Sequence, residues 1–290
     1  MSLLTIAQAL LQARNKGLER LDAQLILLHA IGQPAHARAW LLGHDADPLS
    51  TKQQADFEAH VQRRLSGEPL AYLTGRKEFF GLDLLVDARV LVPRPETETL
   101  VEWALEILPK SGAGTETVEV LDLGTGSGAI ALALKAARPD LAVSAIDQSE
   151  DALAVARENA SRLRLDVQFW QGSWLDAVAY RYRLIIANPP YVASQDPHLL
   201  ALRHEPLQAL TAGASGLDDL RHIIGQAPTR LQAGGCLLLE HGYDQAGPVR
   251  TLLRQAGFVD VESRRDLSGI ERCSIGHTRR DGSAAVHSRA

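Results

Sequence analysis

The chain has 290 residues, of which 46% are hydrophobic and 22% are charged, an ordinary globular composition that is comfortable for two domains. Its formal net charge of -5 lacks the basic excess typical of duplex-binding proteins, and no apolar run approaches the roughly 18 residues of a membrane span. Cys236 and Cys273 indicate neither a disulfide framework nor a metal site, and the N-terminus does not resemble a signal peptide, so we expect a cytoplasmic protein without metal.

The first 75 residues are predicted to form a small helical bundle. Apolar residues recur at helical spacing from Leu3 to Leu11 and from Leu21 to Ile31, and shorter helices are expected over 35–42 and 51–65. Seven basic side chains in this segment are balanced by seven acidic ones. A neutral bundle fits partner binding better than catalysis, so we interpret residues 1–75 as a substrate-docking domain. The alternative is a purely structural cap.

Residues 76–114 are predicted to be a linker made of a β-hairpin and a helix. Apolar residues between Lys77 and Pro93 favour two short strands around a turn at Asp87-Ala88. A helix is expected from Glu96 to Leu108, followed by a flexible joint over 111–115.

Residues 115–278 alternate between predicted strands and helices, which favours a parallel, doubly wound α/β sheet. Strands are expected at 118–123, 141–147, 166–170, 183–187, 235–240, 257–264 and 271–277, and the intervening helices include 129–137, 150–163, 217–231 and 245–256. The short connection over 266–269 makes the last strand pair antiparallel, because a parallel crossover needs about a dozen residues or more. This pattern predicts the Rossmann-like, seven-stranded sheet of class I S-adenosylmethionine-dependent methyltransferases. Residues 279–290 are expected to be a disordered tail.

The first predicted strand of this region runs into a glycine-rich turn with the spacing GxGxG, formed by Gly124, Gly126 and Gly128. Glycines let the backbone approach a ligand closely. A glycine loop alone is weak evidence, because nicotinamide cofactors use a related GxGxxG turn. The spacing here suits S-adenosylmethionine, which carries no phosphate, better than a pyrophosphate.

Two further residues are predicted to contact the cofactor from the tips of neighbouring strands. Asp147 ends the second strand, where an acid can accept hydrogen bonds from both ribose hydroxyls. It could instead cap the following helix, although Ser149 can also do so. Trp174 follows the third strand and can pack on adenine, with plain core packing as the alternative.

The fourth strand leads into Asn188-Pro189-Pro190-Tyr191, the candidate catalytic and substrate-binding segment. The Asn188 side-chain oxygen and the Pro189 carbonyl are acceptors that can hold both hydrogens of a planar NH2 group. Pro189 and Pro190 stiffen the loop, and Tyr191 can pack on the flat target. The alternative is a proline-rich turn without chemistry. The segment alone leaves adenine, guanine and glutamine open as targets.

Nearly the whole chain resembles the N5-glutamine methyltransferases of peptide chain release factors (HemK/PrmC type). The segments that carry the resemblance are 67–75, 78–82, 90–98, 188–191, 195–197, 205–206 and 238–242. The resemblance implies that Gly124, Thr125, Gly126, Ser127, Gly128, Asp147, Trp174 and Asn188 touch S-adenosylmethionine. It also implies that residues 188–191 bind the glutamine of the GGQ motif in class I release factors.

The same resemblance places Arg94, Glu96 and Glu98 at the border of the cofactor. A salt-bridged helix start with acids in its first turn explains these three residues equally well.

Three other functions share features with these motifs. A nucleic-acid methyltransferase acting on adenine or guanine amino groups would share the tetrapeptide and cofactor, but it predicts a basic recognition segment and base flipping. The negative net charge disfavours a nucleic-acid methyltransferase and direct binding to nucleic acid. An intact glycine loop and tetrapeptide disfavour a non-catalytic binding module, and GxGxG disfavours a nicotinamide dehydrogenase.

Overall fold

The computed structural model describes residues 3–109, 117–176 and 178–280. The chain divides into two units, Met1–Arg76 and Lys77–Ala290. The predicted joint over 111–115 and the tail from residue 281 onward lie outside the described residues. Among the described ranges, no helix has both the length and the apolar character needed to cross a membrane.

The first unit is a set of short helices around one apolar core. Its helices are α1 (Ile6–Asn15), α2 (Arg20–Ala30), α3 (Trp40–Gly43), α4 (Thr51–Leu65) and α5 (Leu70–Thr74). Thr5 and Ser50 each begin a helix with a capping box. In it, the hydroxyl accepts the backbone N–H of a glutamine three residues later, and the side chain of that glutamine accepts the backbone N–H of the capping residue. An ion pair between Arg64 and Asp22 (2.6 Å) ties α4 to α2. The predicted helix over 51–65 is confirmed.

The β-hairpin at the start of the second unit differs from the prediction in its turn. Its strands are β1 (Arg76–Phe79) and β2 (Leu82–Leu85), so the turn lies at Phe80-Gly81 and the predicted turn at Asp87-Ala88 was wrong. Both turn residues have positive φ (49° and 76°), and the Glu78 carboxylate accepts the Gly81 N–H at 2.7 Å. A two-residue turn of this kind matches the twist of the flanking strands.

The second unit is built on a seven-stranded sheet with the order β5-β4-β3-β6-β7-β9-β8. The strands are β3 (Glu119–Leu123), β4 (Ala142–Asp147), β5 (Gln168–Gln171), β6 (Tyr182–Ala187), β7 (Leu231–Glu240), β8 (Val259–Arg265) and β9 (Glu271–His277). Strands β3 to β7 pair in parallel, whereas β9 is antiparallel to both β7 and β8. The predicted Rossmann-like fold with an antiparallel last pair is confirmed.

Helices cover both faces of this sheet. They are α6 (Glu98–Ile107), α7 (Ala129–Ala137), α8 (Glu150–Leu163), α9 (Asp218–Gln226) and α10 (Ala246–Gln255). The helix predicted over 217–231 is shorter, because a 3-10 turn containing Pro228 follows α9 and proline cannot donate a backbone hydrogen bond. Separate apolar clusters pack on the two sheet faces, and Cys236 and Cys273 are buried.

Candidate active site

A cleft lies beyond the carboxyl ends of β3, β4 and β6, where a doubly wound sheet binds its ligands. The space inside it, together with the open solvent at its mouth, is about 720 Å³. Strands β3 and β6 are direct neighbours in the sheet, which brings the ends of the two predicted motifs together. Six predicted site residues line the cleft: Gly124, Gly126, Asp147, Trp174, Asn188 and Pro190.

The glycine-rich turn divides into residues that face the cleft and residues that brace it. Gly124 has φ of 68°, and a Cβ there would lie 3.1 Å from the Trp174 ring, so only glycine lets the indole pack this closely. The Thr125 hydroxyl points inward and donates to Asp122 at 2.7 Å. Ser127 is buried, and a Cβ on Gly128 would lie 3.0 Å from Leu132. None of residues 125, 127 and 128 lines the cleft. The predicted contacts of the whole turn with the cofactor stay predictions.

Asp147 stands in the cleft wall at the end of β4. One carboxylate oxygen accepts the Gly126 N–H and the other accepts the Ser149 N–H, both at 2.9 Å. Burial raises the pKa of Asp147, and these backbone hydrogen bonds act in the opposite direction. The helix cap itself is Ser149, whose hydroxyl accepts the Ala152 N–H at 3.2 Å. Asp147 therefore shapes the glycine loop and keeps lone pairs available to a ligand.

Trp174 also lines the cleft, together with Asp219, an acid that sequence reasoning missed. Its backbone has φ of 46°, and its indole N–H donates to Asp219 at 3.1 Å. Burial raises the pKa of Asp219. Asp218 and Asp219 resemble the ordinary acidic first turn of a helix, so the sequence held no specific signal for this role.

The segment from Asn188 to Tyr191 leaves the end of β6 and turns along the cleft. Asn188 Nδ2 donates to the Thr97 hydroxyl oxygen at 3.1 Å, and Pro189 and Pro190 are buried. The Tyr191 hydroxyl lies 3.5 Å from a carboxylate oxygen of Glu240. Within the described chain, neither Asn188 Oδ1 nor the Pro189 carbonyl receives a hydrogen bond. Two acceptors thus stand available beside the glycine loop.

The segment after the hairpin also reaches the cleft, which the sequence did not reveal. Arg89, Val90 and Leu91 line it, although the stretch had been predicted as a strand. Arg94, Glu96 and Glu98 do not. Arg94 pairs with the buried Glu205, whose other oxygen accepts the Val92 N–H, and Glu98 accepts the Phe80 N–H. These contacts support the reading of a braced helix start.

Two carboxyl groups behind the cleft are fully buried. Burial raises the pKa of Asp122 to about 7, opposed by hydrogen bonds from the Thr125 hydroxyl and the Ala131 N–H. Burial likewise raises the pKa of Glu240 to about 7. A carboxyl that keeps its proton in the folded chain after the unfolded chain has lost it favours folding at low pH. The contribution of Asp122 is therefore full below about pH 4 and is lost as the pH rises towards 7.

Asp122→Asn should flatten this dependence. Between about pH 5 and pH 6, the wild-type free energy of unfolding should fall more steeply than that of the variant, by about 1.4 kcal/mol per pH unit. Urea titrations across this range measure the difference. The exposed Asp166→Asn should keep the wild-type slope. An unchanged slope in Asp122→Asn would mean that Asp122 is already ionised in the folded chain.

Comparisons with known families match both units. Residues 2–75 match the family PrmC N-terminal domain, and residues 101–256 match the family Methyltransferase small domain. Among solved structures, a methyltransferase from Pyrococcus furiosus has a TM-score of 0.54 at 18% identity, covering 77% of this chain and 99% of its own. A Thermus thermophilus 16S rRNA methyltransferase has a TM-score of 0.52 at 20% identity, covering 70% of this chain and 50% of its own. These two structures establish the fold alone.

In the described part of the chain, no group of three or more His, Cys, Asp or Glu side chains could hold a metal ion.

Curated relatives match most of the chain. The release factor glutamine methyltransferase of Bordetella pertussis is 48% identical over 267 residues, covering 91% of this chain and 96% of its own length. The same-named protein of Coxiella burnetii is 45% identical over 88% of this chain and 91% of its own length. That of Escherichia coli K12 is 42% identical, with 93% and 96% covered. The chain belongs to the release factor glutamine methyltransferase family.

Proposed function

We propose that this enzyme transfers a methyl group from S-adenosylmethionine to the side-chain amide nitrogen of the glutamine in the GGQ motif of class I peptide chain release factors. The observation that carries the proposal is a pair of acceptors, Asn188 Oδ1 and the Pro189 carbonyl, that have no hydrogen-bond partner among the described residues. They lie beside a glycine loop whose Gly126 N–H is held by the acid that ends the next strand. The names of relatives at 42–48% identity support the same substrate.

The residues that line the cleft offer groups suited to binding the cofactor. Gly124 and Gly126 leave open backbone at its floor, Asp147 offers acceptors for ribose hydroxyls, and Trp174 offers an aromatic wall. S-adenosylmethionine supplies an electrophilic methyl group on a sulfonium centre. The protein supplies position, because holding reactants at near-attack distance accounts for much of catalysis.

Asn188 and Pro189 solve the main chemical difficulty of this reaction. An amide nitrogen is a poor nucleophile, since its lone pair is delocalised into the carbonyl. Two acceptors that take its two hydrogens hold the NH2 group in one orientation and aim its lone pair at the methyl group. Tyr191 then packs on the flat amide. The nitrogen becomes acidic on transfer and loses one proton afterwards, so no base need act first.

Mass spectrometry of a reacted release factor tests the proposal. The purified enzyme and S-adenosylmethionine should add one methyl group to the GGQ glutamine and none to a factor carrying alanine there. DNA and ribosomal RNA, incubated in parallel, separate this function from nucleic-acid amino methylation. Label only in nucleic acid, or a methyl group on another residue, would contradict the proposal.

Asp147→Ala should weaken S-adenosylmethionine binding. Loss of hydrogen bonds to the two ribose hydroxyls should cost about 1.5–3 kcal/mol of binding free energy. Titration calorimetry measures this. Asp151→Ala removes an exposed acid four residues further along the chain and should leave the affinity unchanged. Equal affinities for wild type and Asp147→Ala would show that Asp147 does not bind the ribose hydroxyls of the cofactor.

We further propose that residues 1–75 dock the release factor. This segment belongs to a separate compact unit, and all cleft-lining residues lie between Arg89 and Asp219. Its removal should preserve cofactor affinity but lower kcat/KM on the intact factor by about tenfold or more, since lost contacts of only about 1.4 kcal/mol have that effect. A short GGQ peptide, which cannot reach a docking surface, is the control substrate. A folded truncation with full activity on the intact factor would show that the segment does not dock it.

The same proposal bears on partners and location. A release factor substrate places the activity in the cytoplasm, where translation occurs, and the net charge of -5 supports binding to a protein rather than to nucleic acid.

A further inference from the structure

We propose that Thr97 and Glu240 are positioning residues that determine which end of the Asn188 amide faces the cleft. This inference rests on the proposed function, because it concerns the oxygen of Asn188 that would hold the target NH2 group.

The three residues are brought together by neighbouring parallel strands and the helix start above them. Ala187 of β6 pairs with Leu239 of β7, so Asn188 and Glu240 are the next residues on adjacent strands. Thr97 ends the 3-10 turn Pro95–Thr97 that precedes α6. Thr97 and Glu240 are 4% and 1% exposed, so water does not compete for their hydrogen bonds.

The hydrogen bonds between them have a direction. The Thr97 oxygen accepts from Asn188 Nδ2 at 3.1 Å. A hydrogen bond from the Thr97 hydroxyl to the Glu240 carboxyl acts to lower the Glu240 pKa against the effect of burial. A hydroxyl has a single hydrogen. Once Glu240 takes that hydrogen, the Thr97 oxygen can only accept, and it therefore selects the NH2 end of Asn188. The Asn188 oxygen is left facing the cleft.

The opposite orientation of Asn188 is disfavoured twice. It would place the Asn188 oxygen against the Thr97 oxygen with no hydrogen between them, leaving a buried acceptor unsatisfied. It would also present an NH2 group to a target that is itself an NH2 donor. Glu240 thus acts on the reaction through Thr97 and Asn188, without touching the substrate.

Other groups around Glu240 do not replace this role. The Tyr191 hydroxyl is 3.5 Å from one carboxylate oxygen, and the other oxygen has no hydrogen-bond partner among the described residues. The charges of Arg272 and Glu96 oppose each other in their effect on the Glu240 pKa. Assays at pH 8 keep the carboxyl mainly ionised and therefore an acceptor.

Thr97→Val is the first test, because it removes the hydroxyl and keeps the side-chain shape. It should lower kcat about tenfold to a hundredfold at nearly constant cofactor affinity, as expected for a small misplacement of a reacting group. Thr97→Ser restores the hydroxyl and should recover most of the activity. Thr99→Val makes the same change on a buried threonine two residues later, inside α6, and should match wild type. Equal losses in Thr97→Val and Thr97→Ser, or no loss in either, would overturn the proposal.

Glu240→Leu and the double variant provide a second test. If both residues act through one chain of hydrogen bonds, Glu240→Leu should slow turnover as much as Thr97→Val, and the double variant should be no slower than either. If the loss of kcat in the double variant equals the product of the two single losses, Thr97 and Glu240 act independently, and the proposal is contradicted.

A measurement without substrate separates this proposal from the proposed function. The NMR signals of the Asn188 side-chain NH2 group are identified by their loss in Asn188→Asp. These signals should shift in Thr97→Val and keep their positions in Thr99→Val. Unshifted signals in Thr97→Val would refute the hydrogen bond whatever the enzyme methylates. A wild-type enzyme that fails to methylate the GGQ glutamine would refute only the proposed substrate.

Discussion

Asn188→Ala is expected to lower kcat by about a hundredfold to a thousandfold, the loss typical of removing one hydrogen-bonding group that acts mainly in the transition state. The fold should survive, since the only hydrogen bond that the Asn188 side chain makes within the described residues goes to Thr97. Cofactor affinity should change little. Single-turnover methylation of the release factor, with calorimetry for S-adenosylmethionine, measures both quantities.

Asn188→Asp is the sharper variant of the same experiment. It keeps the shape and an acceptor, but it adds a negative charge beside the cationic sulfonium. That charge stabilises the bound cofactor more than the transition state, in which the positive charge is dispersed. We therefore expect comparable or tighter cofactor binding with slower transfer, so that kcat falls more than KM changes.

Asn159 offers a contrast to Asn188. Its side chain makes three hydrogen bonds, two with the Leu85 backbone and one to the Ser127 carbonyl, so Asn159→Ala should lower the thermal midpoint of unfolding.

A kcat close to wild type in Asn188→Ala would refute the orienting role of Asn188.

Gly216→Ala is expected to have the second large effect, through the backbone of the segment from Asn188 to Tyr191. Gly216 has φ of 69°, and a Cβ there would lie 2.2 Å from the Tyr191 carbonyl oxygen and 2.9 Å from Gln245 Nε2. That glutamine donates to the same carbonyl at 3.0 Å. The loop would have to move by nearly 1 Å, and such a displacement of a reacting group can cost about a hundredfold in rate. Stability should fall by about 1–3 kcal/mol, as overpacking typically costs.

Gly269→Ala is the matched control for this prediction. Gly269 has a similar positive φ of 80°, but a Cβ there would meet nothing within 4 Å. It isolates the backbone strain of a left-handed alanine, about 1–2 kcal/mol, from the collision with the loop. Both variants should be compared in kcat and in urea midpoint. Equal effects at the two positions would show that contact with the Tyr191 carbonyl does not matter.

Much of the fold could be predicted because local patterns carry it. The helices over 129–137 and 150–163 were predicted with the bounds that the structure has, since apolar spacing and nearby turn residues mark them directly. The antiparallel last pair followed from the length of one loop. The hairpin turn was misplaced because Phe80 in a left-handed conformation has no sequence signal, whereas Asp87-Ala88 between apolar residues resembles a turn.

Sequence patterns were enough to predict the sheet and to place Gly124, Asp147, Trp174 and Asn188 at its carboxyl edge. The spacing of apolar residues, the spacing of glycines and the order of strands along the chain can all be read from the amino-acid sequence. The neighbours of these residues became known from the folded chain. Thr97 meets Asn188 across 91 positions of sequence, and Trp174 meets Asp219 across 45. Hydrogen bonds of this kind depend on distance and direction between side chains from separate elements, and packing alone sets those quantities.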